Sequence, residues 1–207
     1  LLSSVASYVG AEVSGTTAEK VLGWIGKGST EPYLGAIAGA LAEVARLVRS
    51  APRAVGQACG ANRIALFSQL LDSQTLVVTA NTSTLYAYTY TDLAQDGATV
   101  IEIPPGMLGF LDDAWFRFVS NLGVIGPDKG KGGKYLLLPP GYKGTEPEGY
   151  FIVRPPTYNN LMFLRGSIAH GLAPAVENIK SKLKIYPLAK ADNPAPTEFI
   201  DFSGKSY

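Results

Sequence analysis

Polar and apolar positions alternate most clearly within the segment LVVTANTSTLYAYTYTDL, which spans residues 76–93. In one run of this segment every second residue is a tyrosine. A period of two places Tyr86, Tyr88 and Tyr90 on one face of a β-strand. The leucine, alanine and threonine residues between them then face the opposite side of the sheet. The pattern predicts a strand over Thr84–Asp92, preceded by a polar turn.

Further short runs of β-branched and aromatic residues occur along the chain, separated by turns that contain glycine and proline. Strands of this length and spacing are typical of an antiparallel sandwich or barrel, whereas βαβ units would need a helix between successive strands. The sequence therefore predicts a mainly β fold with helical additions. The predicted strands are Leu76–Thr79, Thr84–Asp92, Thr99–Ile103, Ala114–Val119, Lys134–Leu138, Tyr150–Arg154 and Asn160–Leu164.

Apolar residues at three- and four-residue spacing predict helices on both sides of this β region. The first helix follows a capping box at Thr16–Glu19. The second begins at Glu31, and Pro52 stops it. Asn62–Leu71 is predicted as a third, shorter helix. A last helix opens at Ala173, with a proline in its first turn.

The order of these elements divides the chain into three parts. Residues 1–72 are predicted as an N-terminal helical region and residues 73–190 as a β-sandwich domain. Within that domain, Lys184–Leu188 is expected to pair back as a strand after the last helix. Residues 191–207 are predicted as a linker towards a C-terminal domain.

Composition and charge narrow the classes of function. With 46% hydrophobic and 17% charged residues among 207, the chain can bury a core. Its net charge of +1 argues against a nucleic-acid partner, which a basic stripe would normally mark. No apolar run reaches the roughly 20 residues that a membrane-spanning helix needs, so no membrane span is predicted. A single cysteine, Cys59, allows no internal disulfide.

The sequence offers no standard set of catalytic or metal-binding residues. One histidine, His170, and one cysteine cannot form a Cys/His zinc site, and we predict neither a metal nor a cofactor. The segment GPDKGKGGK, residues 126–134, departs from the spacing of a phosphate-binding loop and leads into a strand. We interpret it as a solvated hairpin, with weak anion binding left open. The segment GSIAH, residues 166–170, does not match the nucleophile elbow of the hydrolases.

The tyrosine row allows two interpretations. Rings two residues apart on a strand are about 7 Å from each other, a spacing that suits a platform for a sugar or an aromatic ligand. Aromatic residues are also favoured in strands that bind no ligand, and in that case the rings only pack against the sheet. Packing is the commoner role, but the alternation alone does not choose between the two.

Several short motifs, taken in order, resemble the family called domain of unknown function 1254. They extend over roughly residues 60–190. Where the family commonly has an aspartate directly before the T-L-Y motif, this chain has Ser83. The motifs are Asn81 with Thr84-Leu85-Tyr86, Asp92-Leu93, Asp113-Ala114-Trp115-Phe116, Gly133-Lys134-Tyr135-Leu136, Pro139-Pro140-Gly141-Tyr142-Lys143-Gly144, Pro156-Thr157 and Arg165.

The resemblance implies an Ig-like β-sandwich, preceded by two or three helices and followed by one. Such domains are commonly followed by a C-terminal jelly-roll domain. The expected partners are therefore that domain of the same protein, or a second copy of the chain. Relatives are often exported, so a secreted or periplasmic location is expected and a cytoplasmic one is left open. The function of the family is not established, so the resemblance implies a fold and no reaction.

Three functions are compatible with these residues. The first is a module that binds a saccharide or another small ligand through its tyrosine-rich face. The second is a hydrolase that uses carboxylates in a cleft near Asn81–Asp92, with Asp92, Asp113 and Arg165 as candidates. The third is a structural or assembly domain. The candidate binding residues are Asn81, Tyr86, Tyr88, Tyr90, Asp92, Asp113 and Arg165.

Overall fold

The structure is a computed structural model that describes residues 61–72 and 81–204. These residues all belong to one compact unit of the chain, Val55–Tyr207. Their strands form two β-sheets, so the predicted mainly β, sandwich-like fold is confirmed. The Ig-like topology stays a prediction. The helices predicted before residue 60 and the strand predicted at Leu76–Thr79 lie outside the described residues.

Ten strands and two α-helices make up the regular structure of the described residues. The helices are α1 (Leu93–Asp96) and α2 (Leu172–Lys182), and a 3₁₀ turn covers Leu188–Lys190. The strands are β1 (Ile64–Phe67), β2 (Thr84–Asp92), β3 (Thr99–Ile103), β4 (Met107–Asp113), β5 (Phe118–Gly123), β6 (Gly133–Leu137), β7 (Phe151–Val153), β8 (Asn159–Ser167), β9 (Lys184–Pro187) and β10 (Phe199–Asp201).

The larger sheet has the spatial order β10-β1-β2-β8-β4-β5, and the smaller one has the order β7-β6-β3-β9. Two pairs of neighbours, β1 with β10 and β6 with β7, are parallel, and all other described neighbours are antiparallel. The strands β2 and β8 pair along their whole length, from Thr84 opposite Ser167 to Asp92 opposite Asn159. This register fixes which residues share a face at the centre of the larger sheet.

The main hydrophobic core contains residues of both sheets and follows the alternation of the strands. Leu85 of β2 and Leu164 of β8 belong to it, together with Ile101 of the smaller sheet. Each fully buried side chain of this size contributes about 1.5–3 kcal/mol. Helix α2 adds Ile179 to the same core. A Cβ at Gly166 would lie 3.1 Å from the Cδ1 atom of Ile179, so glycine leaves the room that the helix needs.

The opposite face of the larger sheet is also buried on the side of β10 and β1. All four residues of β1 are buried, because this strand has apolar side chains on both of its faces. A second cluster covers this face of the larger sheet. It consists of Ala65, Phe67, Leu71, Tyr86, Tyr88 and Phe202, with Phe163 and Ile200 packed against it. A third cluster, which includes Val100, Leu136 and Tyr186, belongs to the smaller sheet.

Two predicted elements are wrong. Asn62–Leu71, predicted as a helix, contains β1 instead, since a strand buried on both faces shows no alternation that would distinguish it from a short helix. Ala114–Val119, predicted as one strand, contains the turn between β4 and β5. The N–H of Asp113 donates to the carbonyl oxygen of Arg117 at 2.9 Å and closes this hairpin.

Other predicted elements are confirmed. The strands at Thr84–Asp92 and Thr99–Ile103 have the predicted bounds, and a helix follows the β region where one was expected, as α2. The strand expected over Lys184–Leu188 is β9, one residue shorter.

The segment predicted as a linker differs in part from its prediction. Phe199–Asp201 within it is a strand that pairs with β1.

Candidate functional site

The tyrosines of β2 share one face, as their alternation predicts, and the structure shows that this face is the one opposite the main core. Tyr86 is fully buried and Tyr88 is 7% exposed. Their rings stack with centroids 6.1 Å apart and planes inclined by 22°. We refer to Tyr86, Tyr88, Phe163 and Arg165 as the tyrosine cluster, because the two residues of β8 complete the surroundings of both rings.

Aromatic rings from neighbouring strands extend this cluster across the sheet. The ring of Phe163 meets those of Tyr86 and Tyr88 edge to face, with centroids 5.5 and 4.8 Å away. On one side, Phe67 of β1 meets Tyr88 edge to face at 5.6 Å. On the other side, Phe110 of β4 stacks on Phe163 at 5.0 Å. Each such pair adds about 0.5–1.5 kcal/mol beyond the burial of its area, so the rings also hold the strands together.

Arg165 lies opposite Tyr86 in the register of β2 and β8. Its guanidinium carbon is 5.6 Å from the centre of the Tyr86 ring and 5.4 Å from that of Phe163. Both distances are within the range of cation–π attraction. Arg165 forms no ion pair with any residue that the structure describes.

The two tyrosine hydroxyls differ in their hydrogen bonding. The hydroxyl oxygen of Tyr86 accepts a hydrogen bond from the backbone N–H of Asn81 at 2.7 Å. The hydroxyl of Tyr88 is buried and has no hydrogen-bond partner among the described residues. Burial is the main cause that raises the pKa of Tyr88, and the neighbouring Tyr86 adds to it, while the charge of Arg165 opposes part of the rise. The Tyr88 hydroxyl therefore stays protonated and can act as a hydrogen-bond donor.

Asn81 and Asp92 act within their own turns. The side-chain oxygen of Asn81 accepts hydrogen bonds from the N–H and hydroxyl of Ser83 and from the hydroxyl of Thr84, at 2.9–3.1 Å. Asp92 caps α1, since its carboxylate accepts the N–H groups of the next residues of that helix. Tyr90 is half-buried, and burial raises its pKa to about 12.

Asp113 organises the turn between β4 and β5. Its buried carboxylate accepts the backbone N–H groups of Trp115 at 2.8 Å and Arg117 at 3.0 Å, and the Nε–H of Arg117 at 2.7 Å. Burial alone would raise the pKa of Asp113, but these hydrogen bonds outweigh it and hold the pKa below its usual value. The adjacent Asp112 has its pKa raised, by burial and by the charge of Asp113.

The three residues predicted for a hydrolase are not brought together. Arg165 lies beside Tyr86, near the start of β2, and Asp92 ends that strand. At ~3.3 Å per residue these two places are roughly 20 Å apart. Asp113 is opposite Asn160, near the other end of β8 from Arg165. Of the seven predicted binding residues, the structure gathers Asn81, Tyr86, Tyr88 and Arg165.

The sequence did not predict that the hairpin of β4 and β5 exposes several aromatic side chains. Trp115, Phe116 and Phe118 are 51, 57 and 63% exposed, an unusual concentration of aromatic surface at one hairpin. Phe116 has a φ of 57°, a conformation that bulky residues rarely adopt. The consecutive Trp and Phe shortly after two aspartates could have indicated this exposed hairpin. An exposed turn and a buried strand can share that composition, however, so the pattern does not distinguish them.

The glycine- and lysine-rich segment was interpreted as a solvated hairpin, but it connects β5 of the larger sheet to β6 of the smaller sheet. Its three lysines are exposed, as expected, while Asp128 anchors the segment. The carboxylate of Asp128 accepts the hydroxyl of Tyr135 at 2.5 Å and the N–H of Gly132 at 3.1 Å. Both Asp128 and Tyr135 are buried. At the end of this segment, Lys134 lies 3.7 Å from the carboxylate of Glu102. The fold thus uses these residues for structure.

Neither a metal cluster nor a membrane-crossing helix was found in the part of the chain that the structure describes. Within residues 61–72 and 81–204, no three His, Cys, Asp or Glu side chains are grouped so that they could hold a metal ion. No helix over the same residues is long and apolar enough to cross a bilayer.

Comparison with known proteins identifies the family. Residues 61–187 match a family described as "Protein of unknown function (DUF1254)", and this match covers more than half of the chain. The chain belongs to this family. All four residues of the tyrosine cluster lie inside the DUF1254 match. No curated protein matches the chain.

Two solved structures are similar to this DUF1254 chain. The VPA0106 protein from Vibrio parahaemolyticus is 17% identical, with a TM-score of 0.47 over 63% of this chain and 33% of that protein. An uncharacterised protein from Burkholderia cenocepacia is 16% identical, with a TM-score of 0.40 over 88% of this chain and 51% of that protein. The DUF1254 chain thus spans about a third of the first protein and about half of the second.

Proposed function

We propose that this domain is a binding module for a small ligand, with the tyrosine cluster as its binding site. The observation that carries the proposal is the hydroxyl of Tyr88, which is buried without a hydrogen-bond partner in residues 61–72 and 81–204. An unpartnered buried donor costs about 1–3 kcal/mol, and a bound ligand that accepts its hydrogen bond would remove that cost. The aromatic rings around it supply the apolar surface that small-ligand sites usually have.

The burial of the cluster affects which ligand fits. Because the rings of Tyr86 and Tyr88 are almost completely covered, they present no open face on which a long saccharide could stack. This favours a compact ligand that reaches the Tyr88 hydroxyl, a monosaccharide or a small aromatic molecule, over an extended sugar chain.

A ligand screen with two matched variants tests the proposal. Monosaccharides and small aromatic compounds are screened by saturation-transfer NMR against the wild-type chain, Tyr88→Phe and Tyr186→Phe. Tyr186 is the control because its hydroxyl donates to Glu102 on the other sheet, at 2.6 Å. We expect the ligands found to bind at least tenfold more weakly to Tyr88→Phe and equally well to Tyr186→Phe. Equal binding to both variants, or no binding to the folded wild-type chain, contradicts the proposal.

An assembly role is the second candidate, and the exposed aromatic side chains at the hairpin of β4 and β5 favour it. Trp115, Phe116 and Phe118 would become buried if the hairpin docked on another surface, such as a second copy of the chain. Sedimentation of the wild-type chain and of Trp115→Ser tests this. We expect self-association of the wild type to weaken in the variant; a wild type that stays monomeric at high concentration contradicts assembly with a second copy.

We retain three expectations as proposals. They are an N-terminal helical region before the β-sandwich domain, a secreted or periplasmic location, and a C-terminal jelly-roll domain as partner. The predicted domain bounds of 73 and 190 are not retained, because β1 and β10 lie outside them and belong to the larger sheet. Fractionation of cells that express the whole gene product, followed by mass measurement of the mature protein, tests the location and the presence of a second domain.

A further inference from the structure

Arg165 differs from the other arginines that the structure describes. Arg63, Arg117 and Arg154 each form an ion pair with a glutamate or an aspartate. Arg165 has ring faces beside it instead of a carboxylate. The π-faces of Tyr86 and Phe163 attract its charge, but they do not use the five N–H donors of a guanidinium. The cluster thus contains a cation that has no counter-ion within the part of the chain that the structure describes.

The hydroxyl of Tyr88 is a second group of the same cluster that lacks a partner. Tyr88 is more than nine-tenths buried, and no atom of the described residues accepts its hydroxyl hydrogen. Tyr88 and Arg165 border the same ring, because the centre of the Phe163 ring is 4.8 Å from that of Tyr88 and 5.4 Å from the guanidinium carbon of Arg165. Since burial keeps the hydroxyl protonated, both groups offer hydrogen-bond donors, and the group that would satisfy them is an acceptor.

The single positive charge of the site indicates how much negative charge the acceptor should carry. Arg165 is the only lysine or arginine in the six strands of the larger sheet. One positive charge matches a carboxylate, which carries one negative charge and accepts two parallel hydrogen bonds from a guanidinium. A phosphate monoester, with nearly two negative charges, would be left with an uncompensated charge among aromatic rings.

We propose that the ligand of the tyrosine cluster is a small organic monocarboxylate, whose carboxylate binds Arg165 and accepts the Tyr88 hydroxyl while its apolar part lies against Phe163. This inference rests on the proposed ligand-binding function and names the chemical class of the ligand. It assigns Arg165 to charge recognition, Tyr88 to orientation and the rings to selection of an apolar body.

Three probes of similar shape test this assignment on the purified chain. They are benzoate, its neutral analogue benzamide, and phenyl phosphate. We expect benzoate to bind the wild type at least tenfold more tightly than either of the others. Arg165→Gln should weaken benzoate at least tenfold and leave benzamide unchanged, and Arg165→Lys should weaken benzoate less. Arg154→Gln is the matched control, because Arg154 directly follows β7 of the smaller sheet and pairs with Glu146. This variant should bind benzoate as the wild type does.

The outcomes distinguish a failure of the monocarboxylate inference from a failure of the proposed binding site. If benzamide binds as tightly as benzoate and only Tyr88→Phe weakens both, the cluster is a ligand site and the monocarboxylate inference is overturned. Tighter binding of phenyl phosphate overturns it as well. If none of the probes binds to the folded wild type, both this inference and the proposed function fail. Circular dichroism of each variant shows whether it is folded, and Arg165→Lys serves in place of a glutamine variant that does not fold.

Discussion

Tyr88 and Tyr135 are both buried tyrosines, but their hydroxyls differ in hydrogen bonding. The hydroxyl of Tyr135 donates to Asp128, and that of Tyr88 donates to no atom of the described residues. Buried tyrosines are thus not equivalent in this molecule, although the sequence places both of them on alternating strands.

Replacing these residues by phenylalanine should therefore have opposite effects on stability. Tyr88→Phe removes an unsatisfied donor, so we expect the free energy of unfolding without ligand to stay the same or to rise by up to about 1 kcal/mol. Tyr135→Phe leaves the buried carboxylate of Asp128 short of a donor, and we expect a loss of about 1–3 kcal/mol. Urea unfolding followed by circular dichroism measures both. A loss for Tyr88→Phe as large as that for Tyr135→Phe would show that the Tyr88 hydroxyl has a partner after all.

The neighbouring aspartates of β4 have pKa shifts of opposite sign, and stability should depend on pH accordingly. The pKa of Asp113 is lowered in the fold, so its contribution is present above the unfolded pKa of about 4 and is lost as the pH falls through the lower folded value. The pKa of Asp112 is raised, so its charged form opposes folding at neutral pH, and this opposition disappears in acid.

Two amide variants test this difference. At pH 7, Asp113→Asn should lower the free energy of unfolding by about 1.5–3 kcal/mol, the usual value of hydrogen bonds to a charged group. Asp112→Asn should raise it by a smaller amount. The difference for Asp113→Asn should shrink as the pH falls below about 4, towards the lowered folded pKa. The difference for Asp112→Asn should shrink at higher pH, as the pH falls through the raised folded pKa, and should have disappeared below about pH 4. Urea unfolding at a series of pH values measures them, and a pH-independent loss in Asp113→Asn would assign its effect to shape and not to charge.

Among the elements, β10 stabilises the sheet edge although it has only three residues. It pairs with β1, and Phe202, directly after it, is 1% exposed and belongs to the cluster of Phe67 and Tyr88. The N–H of Phe202 also donates to the carbonyl oxygen of Leu66 at 2.9 Å. The strand and its following residue thus connect two segments that are far apart in the sequence.

Phe202→Ala should therefore destabilise the whole domain. We expect a loss of about 3–5 kcal/mol, the usual cost of removing a buried phenylalanine ring. Ile200→Ala on the same strand is the control, since Ile200 is only half-buried and should cost less. Thermal and urea unfolding measure both, and equal losses would indicate that strand pairing matters more than the ring.

Hydrophobic alternation predicted some elements correctly, for a physical reason. β2 was predicted with its full bounds because one of its faces has small and aliphatic residues and the other has tyrosines. β1 was missed because both of its faces are buried, which leaves no polar position to set a period. The hairpin of β4 and β5 was missed because Trp115 and Phe116 have strand-like composition, while the hydrogen bonds of Asp113 that form the turn depend on tertiary geometry.

For the molecule as a whole, the residues of the site come from strands that are distant in the sequence, so only part of the site was predictable. That the tyrosines share a face followed from β2 alone, but which face they occupy did not, and their neighbours Phe163 and Arg165 come from a strand more than seventy positions later. Asp92 and Asp113 were sensible candidates as carboxylates near the same segment. Their hydrogen bonds within local turns became visible only with the backbone in place.

Ionisation of the tyrosines reports on the fold as a whole. Burial raises the pKa of Tyr88, Tyr90, Tyr135 and Tyr186 above the usual 10.0, and carboxylate partners add to this for the last two. The stability that these groups contribute is fully present below pH 10 and is lost as the pH rises through their folded pKa values.

We therefore expect the alkaline titration to occur in two stages. Ultraviolet absorbance of tyrosinate should first rise near pH 10, for the exposed tyrosines, and then again at about pH 12 or above, together with unfolding measured by circular dichroism. Addition of urea should merge the two stages into one. A single stage near pH 10 in the folded chain would mean that the four side chains are accessible to water.

The parallel pairing of β1 with β10 has a mechanical consequence. One strand leads into the domain and the other leads out of it, and they run side by side in the same direction. A force that pulls the chain apart at these two places acts along the strands, so that all their mutual hydrogen bonds are loaded together in shear. An antiparallel pair in the same position would open one bond at a time. The hydrogen bonds between β1 and β10 are thus oriented to resist stretching along the chain.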